Sequence, residues 1–248
     1  MIYVACGLGT NTVAMLVGLH DRGIRPDVLV FADTGAEMPH TYDYISILGK
    51  WLELVGFPEL TIVRDKTTII QDCMKRSALP SAAYGYKTCS QRFKVQPQDK
   101  FMNNYEPALA AWARGEQITK VIGYDADEPQ RAKDYINTKY RNWYPLIEWG
   151  WGRDECVASI KRAGLPQPGK SSCFICPNMR QSEIRSMAEK YPHLAEKAVE
   201  IERNADLSTI HGLGRNWSWD DLLNNRELFP FNDGDKTMPC GCYDGDQE

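Results

Sequence analysis

This chain predicts an alternating α/β protein with a doubly wound, mostly parallel sheet, on three observations. Short apolar runs of strand length alternate with segments of helical period. The runs are continuous rather than alternating in polarity, as strands covered on both faces are. Glycines and polar residues gather at the carboxyl ends of the runs, where sheets of this kind place their ligands.

Ile2 to Cys6 is the first run, and it ends in Gly7-Leu8-Gly9-Thr10-Asn11-Thr12. Val13, Leu16, Val17 and Leu19 then recur at helical spacing until Gly23 stops the pattern. Pro26-Asp27 leads into a second run, Val28-Leu29-Val30-Phe31, with Asp33-Thr34-Gly35 at its end. A helix from about Thr41 to Val55 precedes a third strand, Leu60 to Val63, and a fourth, Ile118 to Ile122, ends in Gly123-Tyr124-Asp125. Arg153 to Ala163 reads as a helix ended by Gly164, followed by a Pro/Gly/Ser stretch from Pro166 to Ser172. After Cys173-Phe174-Ile175-Cys176-Pro177 come two helical segments split near Pro192, then an acidic tail from Phe231. The expected organisation is an α/β core over 1–150 and a helical appendage with a Cys-bearing tail over 151–248.

Composition narrows the class. Hydrophobic residues at 43% and charged residues at 25% describe an ordinary globular chain, long enough at 248 residues to bury a sizeable core. A net charge of -4 argues against broad phosphate neutralisation, so nucleic acid would need a local basic patch. No apolar run approaches the roughly 20 residues that span a bilayer, and Met1-Ile2-Tyr3-Val4-Ala5 carries no basic leader signature. The expectation is a soluble, cytoplasmic protein without a membrane partner. Its 8 cysteines fall as two close pairs and four singletons, unlike a secreted disulfide framework, which points to metal, cluster or redox work.

Two constellations carry chemistry. A glycine loop opening onto a helix N-terminus forms a cradle of backbone N–H groups for phosphate, with Thr10, Asn11 and Thr12 adding side-chain hydrogen bonds or an N-cap. Read without a ligand, the loop is a tight strand-to-helix turn. The second is the close pair Cys173-x-x-Cys176, which serves metal, cluster or redox work or else is a turn with buried, inert thiols. Lys87, Arg92, Lys94 and Lys100 form a basic stretch near Cys89, either a receiver of phosphate or a solvated charged face. Trp143, Trp149 and Trp151 read as packing, and His20, His193 and His211 as surface residues.

Asp33-Thr34-Gly35-Ala36-Glu37-Met38-Pro39-His40-Thr41 resembles the DTGxxFPET element of the PAPS reductase family, in the PP-loop (adenine nucleotide α-hydrolase-like) superfamily. Ile122 to Ala132, with Arg131, and Tyr144-Pro145-Leu146-Ile147-Glu148-Trp149 are similar to further family segments, the second to a Pro-Leu-x-x-Trp strand. Lys87-Thr88-Cys89-Ser90-Gln91-Arg92-Phe93-Lys94-Val95-Gln96-Pro97 is similar to the Cys-Cys-x-x-Arg-Lys-Val-x-Pro segment of cluster-containing APS reductases, which pair it with a distant CxxC. The resemblance makes Cys173-x-x-Cys176, 84 positions from Cys89, that partner, and three thiolates so placed suit a [4Fe-4S] cluster, or zinc with Cys240 or Cys242 as fourth ligand. The resemblance covers about residues 1–180 and matches standalone members found on phages and plasmids.

It implies a Rossmann-like fold of PP-loop type that binds ATP with Mg²⁺ or a sulfonucleotide. Gly7, Leu8, Gly9, Thr10, Asn11 and Thr12 would hold phosphate, with Asp33, Thr34, Gly35, Gly123 and Arg131 around the nucleotide. Asp33 also suits a helix N-cap, Arg131 also suits a solvated surface charge, and His40 would line the pocket. Catalytic roles fall on Asn11, Asp33 and Cys242, and cluster ligation on Cys89, Cys173, Cys176 and Cys240. Two departures stand out. The family loop is SGGxDS, whereas position 11 here is asparagine, and Ser90 stands where a second adjacent cysteine would be. The implied activity is adenylylation with pyrophosphate release for sulfur transfer to a tRNA or DNA base or a metabolite. The alternatives are a sulfonucleotide reductase, or a nucleotide-binding accessory protein with partners in a defence or modification system.

Overall fold

The computed structural model describes residues 1–80, 87–133 and 137–224. Five parallel strands form one sheet in the order β3-β2-β1-β4-β5. They are β1 (Ile2–Cys6), β2 (Val28–Ala32), β3 (Leu60–Val63), β4 (Ile118–Val121) and β5 (Tyr140–Trp143). Register is continuous from edge to edge, with Val4 opposite Leu29 on one side and Val121 on the other. Because β1 lies centrally and the chain runs outward from it in both directions, the order reverses between β1 and β4. That point is where ligands sit in open α/β sheets.

The strand period of two sends alternate residues to opposite faces. Val4, Cys6, Leu29 and Phe31 pack under α1 (Thr10–Asp21), α2 (Pro39–Leu54) and α8 (Arg153–Arg162). Tyr3, Ala5, Val28 and Val30 face α5 (Gln96–Met102) and α6 (Glu106–Ala113) through Met102, Ala108 and Ala111. On the first face α1 lies so close to the sequence after β5 that a Cβ on Gly18 would stand 2.3 Å from the Trp149 ring. Trp143, Trp149 and Trp151 pack there as expected, with the Arg22 guanidinium 3.9 Å over Trp149.

Several boundaries differ from expectation. The fifth strand is Tyr140–Trp143 and precedes the Pro-Leu segment, which forms a short helix, α7 (Pro145–Glu148). Proline fits the first turn of a helix and lacks the N–H that a ladder needs. β4 stops at Val121. Neither Thr10, Asn11 nor Thr12 caps α1: its N-cap is Gly9, without a side-chain cap bond. Nor does Asp33 cap a helix, since α2 begins at Pro39 after Met38.

Residue 150 does not separate two cores. α8 contributes Cys156 and Ile160 to the sheet's own core. The second core is shared, joining Ala36, Met38 and α3 (Ile69–Arg76) to α9 (Gln181–Lys190), α10 (Pro192–Asn204) and α11 (Trp219–Asn224). One carboxylate organises its far end. Buried Glu202 of α10 accepts from the backbone N–H of Leu213 (2.6 Å), Trp219 (3.0 Å) and Asp220 (2.9 Å) and from the Ser218 hydroxyl (2.7 Å). It thereby satisfies the first turn of α11 from outside the helix. Among the described residues no helix is long and apolar enough to cross a membrane.

Glu202→Gln keeps the shape but points an amide donor at groups that already donate. It is expected to cost about 3 kcal/mol and lower Tm by roughly 6–12 °C. Exposed Glu196→Gln on the same helix is expected to melt with the parent in a calorimetric scan.

Candidate functional site

The carboxyl edge of the sheet carries the polar residues, and neighbouring strands deliver them in pairs. After β1, Leu8 takes a left-handed backbone (φ 58) with its side chain buried, so the loop keeps a turn that glycine adopts freely. The N–H of Gly7 donates to Thr12 Oγ1 (3.3 Å), and Thr10 Oγ1 accepts from Gln167 Nε2 (2.8 Å). A Cβ on Gly9 would stand 3.0 Å from Ser171 Oγ. The Pro/Gly/Ser stretch therefore folds back over the glycine loop. The first turn of α1 contains no acidic side chain and presents N–H groups without intrahelical partners, an arrangement that attracts anions.

β4 meets this loop from the other side of the switch point. A Cβ on Gly123 would stand 3.2 Å from the Thr12 nitrogen, so the two backbones touch. Two residues on, Asp125 Oδ2 accepts from Asn11 Nδ2 (2.9 Å). Asn11 Oδ1 is fully buried and has no partner. Arg131 lies apart from these contacts in a 3-10 turn, bonded to Glu128 (2.6 Å) with its guanidinium 4.2 Å over the Tyr124 ring. Its side chain is 17% exposed, so it is not the solvated charge that was one reading of it.

Asp33, at the end of β2, is a structural hub. Its Oδ1 accepts from the Gly35 N–H (2.7 Å) and the Tyr42 hydroxyl (2.9 Å), and its Oδ2 from Arg64 at the end of neighbouring β3. Burial, then the bond to Asp33 and its charge, push the Tyr42 phenol up, which keeps it a donor. Gly35 has φ 74, and a Cβ there would lie 2.5 Å from the Thr68 methyl, so this position requires glycine. Thr34 turns the other way, its Oγ1 3.1 Å from Glu37 Oε1 and 3.1 Å from Cys173 Sγ.

The cysteines meet because residues 172–174 run antiparallel to 36–38. Met38 N–H donates to the Ser172 carbonyl (3.1 Å), Phe174 N–H to that of Ala36 (2.8 Å), and Glu37 bridges Cys173. Cys176 N–H then donates to the Cys173 carbonyl (3.1 Å), closing the CxxC turn. Cys89, on the one-turn helix α4 (Thr88–Ser90), completes an apolar cavity with Cys173, Cys176, Thr34, Ile69 and Lys94.

A π-helical segment, Gln91–Val95, follows α4 and buries Phe93, Lys94 and Val95 in succession. Lys94, for which a solvated face was one of two readings, is buried and ion-paired to Glu37 Oε1 (3.2 Å). Burial alone would lower its ammonium. The Glu37 charge and hydrogen bond outweigh that and hold it charged, above the usual lysine range.

Burial pushes all three cavity thiols up, Cys173 furthest, with Glu37 adding to it. Lys170, Lys94 and Lys87 act against burial at Cys176. Cys73 of α3 is a fourth thiol near Cys89, raised to about 12 by burial and then by Asp72. Among the described residues no group of three or more His, Cys, Asp or Glu is arranged to hold a metal ion. Cys240 and Cys242 lie outside the described residues. His40 packs on Gly169 and its Nε2 lies 3.0 Å from the Lys170 carbonyl.

The structure brings Gly7 to Thr12 together with Gly123, and Thr34 together with the three cysteines. Tyr42, Arg64, Cys73 and Ser171 were not singled out in the sequence. Glu37, Lys94 and Asp125 were named only as members of the DTG segment, the basic stretch near Cys89 and the end of the fourth strand, without the contacts the structure gives them. No protein-family model matches the chain, and no curated protein matches it significantly.

Cys6 and Cys156 sit in the core, and burial raises both from 9.0 to about 12. At pH 8 about one such thiol in ten thousand is ionised, so both are expected to escape iodoacetamide in the folded chain and react in urea. Their protonated form stabilises the fold fully below pH 9, where unfolded thiols also keep the proton. That contribution is lost as pH rises toward 12. Alkaline unfolding followed by circular dichroism is therefore expected to begin above pH 9 and to shift upward in Cys156→Ala relative to its own neutral stability.

Proposed function

We propose that the chain is a PP-loop nucleotide enzyme of the PAPS reductase type, which adenylylates a substrate oxygen with release of pyrophosphate and lets a sulfur nucleophile displace AMP. One observation carries this reading. The glycine loop at the topological switch point and the three-thiol cavity share a single edge, only the short stretch from Ser171 to Cys173 apart.

The cradle of Gly7, Leu8 and Gly9 with the first turn of α1 would hold the phosphates. Fixed N–H dipoles there stabilise charge developing on departing pyrophosphate without reorganising. Ser171 lies against the loop at Gly9 and would offer its hydroxyl to a bound phosphate. Asp33 acts by shape, holding the backbone of the DTG turn through Gly35 and thereby aiming Thr34 at the thiols. The donor set suits a thiophilic group: three cysteines in apolar walls, with Lys94 and Lys87 nearby to offset negative charge. Cys89, Cys173 and Cys176 would hold a [4Fe-4S] cluster, which when bound supplies an iron open to an exogenous sulfur. Zinc, held tetrahedrally by the same thiols, is the alternative metal.

The reading is tested on anaerobically purified full-length protein. About four irons and four sulfides per chain are expected, lost in Cys89→Ala and Cys176→Ala, together with pyrophosphate release from ATP in the presence of the acceptor. Gly9→Ala, which fills the cradle, is expected to weaken ATP binding about tenfold with little change in Tm. Sulfite release from a sulfonucleotide would replace this reading with the reductase. Nucleotide binding without turnover of either substrate would replace it with an accessory protein.

A further inference from the structure

We propose that Asn11 and Asp125 together seat a divalent, oxygen-seeking cation that enters with the nucleotide phosphates, with Asp125 supplying the charge. This rests on the nucleotide reading above and goes beyond it by assigning the cation's place.

Three observations point to it. Asp125 is 5% exposed, yet among the described residues no lysine, arginine or histidine forms an ion pair with it. Its two bonds are neutral, one from Asn11 Nδ2 (2.9 Å) and one from the Asp127 N–H (3.2 Å). A buried carboxylate without a counter-charge is costly, and a cation relieves that cost. The other two buried carboxylates of this edge already have theirs: Asp33 has Arg64 and Glu37 has Lys94. Second, the Asn11 amide is oriented by its bond to Asp125 through Nδ2, and its Oδ1 is fully buried with nothing to accept from. An acceptor so placed asks for a cation or a donor. Third, Asn11 lies in the first turn of α1, where the phosphates of a bound nucleotide would arrive, and Asp125 is hydrogen-bonded to it. A bare carboxylate there repels phosphate, and a cation between them turns repulsion into a bridge.

Mg²⁺ is bound through one or two protein oxygens, several waters and the phosphates themselves. The asparagine is then a positioning residue. Its nitrogen holds Asp125 against the loop, and its oxygen faces the ion.

The test is calorimetric titration of the full chain with ATP, in Mg²⁺ and in EDTA, with Mn²⁺ as a paramagnetic reporter of the bound ion. The parent is expected to bind ATP at least tenfold tighter with Mg²⁺. Asp125→Asn is expected to abolish that ratio while metal-free binding stays equal or tightens, because a repelling charge is gone. The exchanged pair Asn11→Asp with Asp125→Asn keeps one carboxylate and one amide in contact, and is expected to regain most of the ratio and the Mn²⁺ signal. It also keeps the test open should Asp125→Asn fold poorly. A merely structural role would move Tm and leave the ratio alone. Asp125→Asn retaining the parent's Mg²⁺ ratio would overturn the proposal, as would a parent whose ATP affinity ignores Mg²⁺. A parent that binds no ATP at all would instead overturn the nucleotide reading, and this inference with it.

Discussion

The rest of the molecule depends on a pairing three residues long. Residues 172–174 lie antiparallel to 36–38, and two backbone bonds plus the Glu37–Cys173 bridge tie the C-terminal part of the chain to the end of β2. Without it the CxxC turn would have no fixed relation to Cys89, and Ser171 would not reach the glycine loop. The second core would also lose the side chains it takes from both halves, Ala36 and Met38 on one and Phe174 and Ile175 on the other. So short a pairing is stable only because apolar packing surrounds it, and the π-turn after Cys89 supports it from behind. That turn drives Lys94 into the interior to meet Glu37. A buried ion pair contributes little net stability, because desolvation consumes most of the attraction. Its consequence here is geometric. Glu37 can satisfy Lys94, Thr34 and Cys173 from one side only if all three stand where they do.

The electrostatics of the carboxyl edge follow strand order. Adjacent strands end side by side, so the residue after one strand meets the residue after the next, and Arg64 after β3 reaches Asp33 after β2 in this way. Asp125 beyond β4 meets Asn11 beyond β1 by the same logic, at the place where the strand order reverses. Groups placed by a parallel sheet inherit its rigidity, which suits a site that must not reorganise during chemistry.

Much of this was legible in the primary structure. Four strands and the helices α1 and α2 follow from continuous apolar runs and helical periodicity, and those signals survive folding because both faces of the sheet are covered. The helices α3 to α6 between β3 and β4 were not read, being short segments of mixed polarity. The fifth strand was displaced by a few residues, since Tyr140–Trp143 is too polar to read as a buried run while Pro145-Leu146-Ile147 mimics one. The grouping of Cys89 with Cys173 and Cys176 came from the resemblance of the segment around Cys89, whereas Cys73, a thiol of the same type, went ungrouped because nothing local marks it.

By itself the order of residues determined the periodicities, the glycine loop after the first strand, the DTG turn after the second and the identity of the thiols. These are local properties, encoded within a few residues of one another. Only the tertiary structure decided that Lys94 is buried, that Asp125 answers Asn11 across 114 positions, and that Ser171 returns to cover Gly9. Such facts depend on which strand neighbours which and on how closely two backbones approach. No side-chain pattern along the chain encodes that, because burial and pairing are settled by packing between segments far apart in sequence.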